Sequence, residues 1–182
     1  MTARQRPSAR SGCHLDPPRD LAVFYADRIE KMVRALTLYC GSKDVAEELA
    51  QEAFARVCRD WSKVQRADDP EAWTYRIAFN LANSRFRRLA AERRARDRLS
   101  SLPQPQEGAS ETEGAAANRA ALRSLLQRIP RRQRESLILR FYFDLSVSSV
   151  AAVMGCPEST VKTLTRRGVT RLRELSGEGP QP

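Results

Sequence analysis

From residue 21 onward the apolar positions of the chain recur at three- and four-residue intervals, the spacing that brings side chains to one face of an α-helix. Leu21, Phe24, Tyr25 and Ile29, then Met32, Val33, Leu36 and Tyr39, predict one long amphipathic helix that stops at Gly41. Ser42 opens a second, in which Val45, Leu49, Phe54 and Val57 form the buried stripe, Ser or Asp caps the first amides and early carboxylates suit the positive helix end. After Asp68-Asp69-Pro70 a third helix runs through Trp73, Ile77, Leu81 and Phe86 into an arginine-rich end. The periodicity lapses over residues 100–117, which are rich in Ser, Pro, Gln, Gly, Glu and Ala. It resumes with Leu122, Leu125, Leu126 and Ile129, breaks at Pro130, and continues through Leu137, Ile138, Phe141 and Tyr142 to Asp144. A short amphipathic stretch over residues 145–154 and a final helix over residues 158–175 follow. The pattern therefore predicts an all-α chain of two small helical domains, residues 21–99 and 118–176, joined by a flexible linker over residues 100–117. Residues 1–20 and 177–182 hold too few large apolar groups to offset the entropy of ordering and are expected to be tails.

The sharpest local pattern is Leu145-Ser-Val-Ser-Ser-Val-Ala-Ala-Val-Met-Gly-Cys-Pro-Glu-Ser-Thr-Val-Lys162. Val147, Val150, Ala151 and Met154 would pack one short helix against Val161 of the next, and Gly155 supplies the left-handed residue of a tight turn. This is the signature of a helix-turn-helix. With Val161, Val169, Leu172 and Leu175 facing inward, Ser159, Thr160, Lys162, Thr163, Arg166, Arg167 and Thr170 fall on or beside the outer face, where a DNA major groove would lie. An ordinary helical hairpin with a solvated basic face is the plainer reading.

In the first domain, Trp73-Thr-Tyr-Arg-Ile-Ala-Phe-Asn-Leu-Ala-Asn-Ser-Arg-Phe-Arg-Arg88 interleaves aromatics, amides and arginines on one helix. Such a surface suits single-stranded DNA: aromatics stack on bases, arginines follow phosphates and amides read base edges. Trp73, Ile77 and Leu81, spaced by four, are expected in the core, while Tyr75, Phe79 and Phe86 fit either role. The preceding helix, from Asp44 to Arg56, is acidic around its apolar stripe, which points either to a protein partner or to a solvated face.

Charge strengthens the nucleic-acid reading, because 32 Lys+Arg against 22 Asp+Glu leave +10, carried mostly by arginine. Cys13, Cys40, Cys58 and Cys156 are scattered without metal-ligand spacing, so no metal, disulfide framework or cofactor is expected. His14 is the single histidine, and no phosphate-cradling glycine loop or hydrolase motif occurs, so catalysis is not expected. No run approaches a membrane helix or a signal peptide, which makes the cytoplasm the expected compartment.

Taken together, these blocks resemble the extracytoplasmic-function sigma factors, promoter-specificity subunits of bacterial RNA polymerase. Asp44-Val-Ala-Glu-Glu-Leu-Ala-Gln-Glu-Ala-Phe54 resembles the polymerase-binding segment of their region two, and Pro70-Glu-Ala-Trp-Thr-Tyr-Arg-Ile-Ala-Phe-Asn80 with its arginine-rich sequel resembles the part that melts and reads the −10 element. Ile129-Pro-Arg-Arg-Gln-Arg-Glu-Ser-Leu-Ile-Leu-Arg-Phe-Tyr-Phe-Asp-Leu-Ser146 through Arg173 resembles region four, the reader of the −35 element. The resemblance implies that Asp44, Glu47, Glu48, Gln51, Glu52 and Phe54 dock on the clamp coiled coil of the largest polymerase subunit, with the flap of the second-largest as a further contact. It implies that Tyr75, Arg76, Asn80, Asn83, Ser84, Arg87 and Arg88 meet the melted −10 strand, and that the outward residues of the last helix meet the −35 duplex. It further implies a linker threaded toward the active-site and RNA-exit channel, and an anti-sigma factor as a possible partner. The chain departs from the usual pattern at Ser84, where many relatives place Asp, and at Lys162-Thr-Leu-Thr-Arg-Arg-Gly168, where Leu164 replaces an arginine and Gly168 an alanine. A mid-helix Gly168 leads to the expectation that Gly168→Ala stabilises by about 0.5 to 1 kcal/mol. Two other readings stay open at this stage: a free-standing helix-turn-helix regulator, and an adaptor that binds polymerase without DNA.

Overall fold

The computed structural model describes residues 19–97 and 115–177; residues 1–18, 98–114 and 178–182, on which the expectations for the tails and the linker chiefly rest, lie outside the described residues. Helix α1 (Arg19–Cys40) ends at Gly41, whose φ of 84° lies in the left-handed region and whose N–H donates to Thr37 O at 2.8 Å. Helix α2 (Lys43–Arg59) starts under the cap of Ser42, whose hydroxyl accepts from Val45 N. A four-residue helix that the periodicity does not reveal, α3 (Trp61–Val64), precedes α4 (Pro70–Asp97). Pro70 fills the first position of α4, and the Asp69 carboxylate accepts from Ala72 N at 2.8 Å, as the Asp-Asp-Pro signal predicts.

The second half begins with α5 (Ala115–Gln127) and α6 (Arg131–Leu137), broken at Pro130, and α6 runs into a π-helical turn, Ile138–Tyr142. Asp144, with a φ of 55°, reverses the chain and returns Leu145 to the interior. Helix α7 (Val147–Met154) is capped by Ser146, which accepts from Ser149 N at 3.0 Å, and it ends at Gly155 in the left-handed conformation (φ 59°). Helix α8 (Glu158–Ser176) follows directly, completing the helix-turn-helix. Among the described residues every regular element is helical.

The two halves are packed against each other around one core. Met32, Leu36 and Tyr39 of α1, Ala50 and Phe54 of α2, and Tyr75, Ala78 and Phe79 of α4 belong to the same buried cluster as Ile138, Leu139, Phe143, Val150, Val153 and Val161 of the second half. The rings of Tyr75 and Phe143 stack at 3.9 Å between centroids. Polar groups cross the boundary as well. Gln127 Nε2 donates to Leu38 O at 2.8 Å and Arg134 Nη1 to Tyr39 O at 2.6 Å, so side chains of the second half satisfy carbonyls that the end of α1 leaves unpaired. The φ of Gly41 favours glycine, and a Cβ there would press on the Gln127 amide 3.0 Å away, the group that donates to Leu38 O.

Candidate nucleic-acid interface

Helix α4 carries two kinds of surface. Arg76, Asn80, Ser84, Arg87 and Arg88 are exposed, and their spacing of three and four residues lines them up in one stripe along the helix. Tyr75 and Asn83, placed in the same set by the resemblance, lie off that stripe. Tyr75 is 2% exposed under Phe143, and Asn83 is half-buried, accepting at Oδ1 from the Tyr39 hydroxyl at 2.6 Å and donating to Glu135 at 3.3 Å. Neither side chain is open to a nucleic acid in this arrangement.

The stripe gains a residue that spacing alone placed elsewhere. Trp73, expected in the core, is 41% exposed, three residues before Arg76, so the stripe is headed by an aromatic face. The inward register is Ala72, Tyr75, Ala78, Phe79 and Ala82, with Ile77 and Leu81 only partly covered. Tyr75 and Phe79 are thereby core residues, and Phe86 lies half-buried edge-on to Tyr39 beneath the Arg131 guanidinium. The three alanines in the inward register, Ala72, Ala78 and Ala82, were the signal that the core face ran through Tyr75 and not through Trp73.

Beside this stripe lies the acidic row of α2. Asp44, Glu48, Gln51 and Glu52 are exposed and Glu47 partly so. Phe54 departs from the expected docking set: it is 4% exposed, edge-on to Tyr25 at 5.0 Å and to Phe24 at 6.4 Å, and holds α1 to α2 from inside. A groove of about 780 Å³ separates the two helices, with Glu48, Gln51 and Glu52 on one wall and Asn80, Ser84 and Arg88 on the other. Arg85 and Glu48 bridge it at 3.1 Å.

Helix α8 displays the set read from its sequence. Ser159, Lys162, Arg166, Arg167 and Thr170 are exposed, while Thr160 and Thr163 are partly covered, the Thr163 hydroxyl donating to Ser159 O. Arg166, Arg167, Thr170 and Arg171 form one wall of a second groove, whose other wall is Pro130 and Gln133 at the start of α6. Two positions on the inner side of this helix are fixed by contacts with α6. Thr165 shares a hydrogen bond of 2.6 Å with the buried Ser136, and Gly168 is buried, where a Cβ would come within 3.0 Å of Leu137 Cγ. Gly168 is thus mid-helix as expected, and Leu137 occupies the space its missing side chain leaves, so the expected gain from alanine now turns on whether Leu137 can yield by a few tenths of an ångström.

Among the described residues no group of His, Cys, Asp and Glu has metal-binding geometry, and no helix is long and apolar enough to cross a membrane. Burial pushes the Cys40 thiol up to about 12, the nearby Arg134 opposing only in part, so it is protonated and unreactive at neutral pH.

The family model for Sigma-70 region 2 matches residues 25–92 and that for Sigma-70, region 4 matches residues 119–172, together two-thirds of the chain. The chain is 31% identical to the ECF RNA polymerase sigma factor BldN of Streptomyces coelicolor, across 84% of its own length and 58% of that protein's. It is 27% identical to the ECF RNA polymerase sigma factor SigW of Bacillus subtilis, across 85% of its own length and 86% of that protein's. In fold it is similar to the sigma factor RpoE of Bartonella quintana, solved in complex with the anti-sigma factor NepR, with a TM-score of 0.75 and 21% identity over 88% of this chain and 98% of that one. With both regions matched in order, this chain belongs to the sigma-70 family as an alternative RNA polymerase sigma factor of the extracytoplasmic-function group, a DNA-binding subunit for transcription initiation.

Proposed function

We propose a division of labour among three helices. The acidic row of α2, Asp44, Glu47, Glu48, Gln51 and Glu52, docks on the clamp coiled coil of the largest subunit of core polymerase, with the flap of the second-largest subunit as a further contact. The stripe Arg76, Asn80, Ser84, Arg87 and Arg88 on α4, headed by Trp73, receives the melted −10 strand. Ser159, Thr160, Lys162, Thr163, Arg166, Arg167 and Thr170 of α8 read the −35 duplex. Flipping a base out of a duplex costs a few kcal/mol, about what one stacking contact and one or two hydrogen bonds return. The strand would therefore be captured as polymerase opens it, by a surface that offers an indole face and an amide within one helical turn or two.

The observation that carries this reading is the juxtaposition across the α2–α4 groove, where a carboxylate wall faces an amide and arginine wall. Carboxylates repel DNA and suit a basic protein surface, whereas the facing wall suits phosphates and base edges. One small domain thus holds polymerase and strand side by side. The protein has no catalytic role in this reading: it directs the polymerase's chemistry, works in the cytoplasm with it, and is held in check by an anti-sigma factor, the kind of partner with which the Bartonella sigma factor was solved. Nothing in the structure favours a free-standing regulator, which would leave the acidic row without a role.

The test is run-off transcription from genomic fragments with purified core polymerase, mapping transcript starts with and without this protein. New starts that share two upstream motifs at fixed separation are expected. Glu48→Arg with Glu52→Arg should abolish them by loss of polymerase binding, and unchanged transcription by that double variant would contradict the assignment of α2.

A further inference from the structure

Glu135 has an unusual position for a carboxylate. It sits on α6 in the interface between the two halves, 3% exposed, and among the described residues no cation lies within ion-pairing distance of it. Its neighbours on the other half are neutral donors: Asn83 Nδ2 at 3.3 Å from Oε1 and 3.4 Å from Oε2, and the Tyr39 hydroxyl at 3.5 Å from Oε2. That hydroxyl lies closer to Asn83 Oδ1, at 2.6 Å, so α1, α4 and α6 meet in a closed triangle of polar groups. Phe79 and Phe86 pack against Tyr39, and the α6 arginines Arg131, Arg132 and Arg134 flank the triangle without pairing with Glu135. Burying an acid here weakens the contact between the halves relative to an apolar side chain, and the triangle keeps the acid tolerable only while the halves are together. Burial pushes the Glu135 carboxyl above the ordinary glutamate range, with the hydrogen bonds from Asn83 and Tyr39 and the more distant charge of Arg132 opposing, which marks the same conflict.

Asn83 is three residues from Asn80 and four from Arg87, on the flank of the exposed stripe, yet its amide is turned into the triangle. We propose that Tyr39, Asn83 and Glu135 form a latch between the two halves that withholds Asn83 from single-stranded DNA, so that closure of the protein and capture of the melted strand compete for one amide. This deepens the assignment of α4 to the −10 strand and rests on it. The halves part, Asn83 rejoins Asn80 and Arg87 on one surface, and Tyr75 loses its cover from Phe143 in the same movement. The buried acid keeps the latch releasable, since an open Glu135 is hydrated and needs no partner.

The test uses the full chain and two readouts, the radius of gyration by small-angle scattering and binding to fluorescein-labelled single-stranded DNA of random sequence. Glu135→Lys places a cation in the interface and is expected to enlarge the molecule and strengthen strand binding severalfold. Tyr39→Phe removes only the hydroxyl and is expected to do both to a smaller degree while preserving the core. Glu135→Gln keeps the hydrogen-bonding shape without the charge and is expected to stay as compact as the parent, with no gain in strand binding. An unchanged radius for Glu135→Lys and Tyr39→Phe, both shown to be folded by circular dichroism, overturns the latch. Enlarged variants that bind the strand only as tightly as the parent overturn the competition for Asn83, and enlarged variants that bind no strand at all overturn the assignment of α4 itself.

Discussion

Helices α4 and α8 are both long, arginine-rich and assigned to DNA, and they differ in how many of their sides are covered. Helix α8 has one inward side, with Val161 and Gly168 buried and Val169, Leu172 and Leu175 partly so, and the rest of it faces out. Helix α4 is packed from two directions, by α1 and α2 on one and by Phe143 and α7 on the other; over that packed length the stripe from Trp73 to Arg88 remains open, and from Ala91 the helix is exposed. A recognition surface on a helix with one buried side can be read from polarity alone. On a helix clasped from two directions, residues of recognition type are divided between the open surface and the interface, and only the packing says which is which.

The largest expected effect tests that clasp. Tyr75→Ala removes a fully buried ring and is expected to cost about 3 to 5 kcal/mol of stability in chemical denaturation, as large aromatic truncations in cores do. Phe143→Ala should cost a comparable amount, and the double variant less than the sum, because the stacked pair is lost only once. Strict additivity would mean that the halves are not held by this stack. On α8 the expected loss is in DNA affinity: Lys162→Ala and Arg166→Ala should each weaken −35 duplex binding by about 1 to 3 kcal/mol if they reach base edges. A lowering of the salt dependence by about 0.9 per residue, without change in sequence preference, would reassign them to phosphates. Next is Gly168→Ala. Better helix propensity contributes about 1 kcal/mol, but crowding against Leu137 costs about 1 to 3, so a net loss of about 1 kcal/mol is expected in thermal denaturation. A gain would show that Leu137 yields freely.

The smallest effect is in pH. Glu135 in the closed protein titrates above its ordinary range, so the closed form binds the proton more tightly than the open form does. The stability this provides is complete below the ordinary glutamate range and is lost as pH rises through the raised value, against the flanking charges Arg131, Arg132 and Arg134 of α6 and beside Tyr39 of α1 and Asn83 of α4. Compactness should thus fall slightly as pH rises from the acid side, and Glu135→Gln should remove the trend. A parent protein whose compactness rises over that interval would reverse the sign assigned to Glu135.

Much of the fold was legible because its signals are local. Ser42, Asp69-Pro70 and Ser146 cap or open helices where their chemistry says they should, and Gly41 and Gly155 end helices in the left-handed conformation. The outward residues of α8 were legible for the same reason. What could not be read depends on contacts between residues far apart in the chain. Trp73, Ile77 and Leu81 share a spacing that fits a core, but Ala78 and Ala82 let α7 and its neighbours approach on the Tyr75 side and turn the helix accordingly. Phe54 belongs to the buried stripe by its spacing and to the docking set only by the resemblance, and Phe24 and Tyr25, which enclose it, decide for the stripe. Gly168 looked like a weak point in α8, and only Leu137, thirty-one positions earlier, shows that the space is used. Glu135 and Asn83 had no sequence signal as a pair, since fifty-two residues separate them.

In the proposed function α4 and α8 read different promoter elements. Its most direct test is a matrix of transcription assays with core polymerase, in which Asn80→Ala and Lys162→Ala proteins are each measured against promoters substituted base by base across both motifs. Asn80→Ala is expected to relax discrimination only within the −10 motif and Lys162→Ala only within the −35 motif. Relaxation of the same motif by both, or of neither with transcription still dependent on this protein, would contradict it.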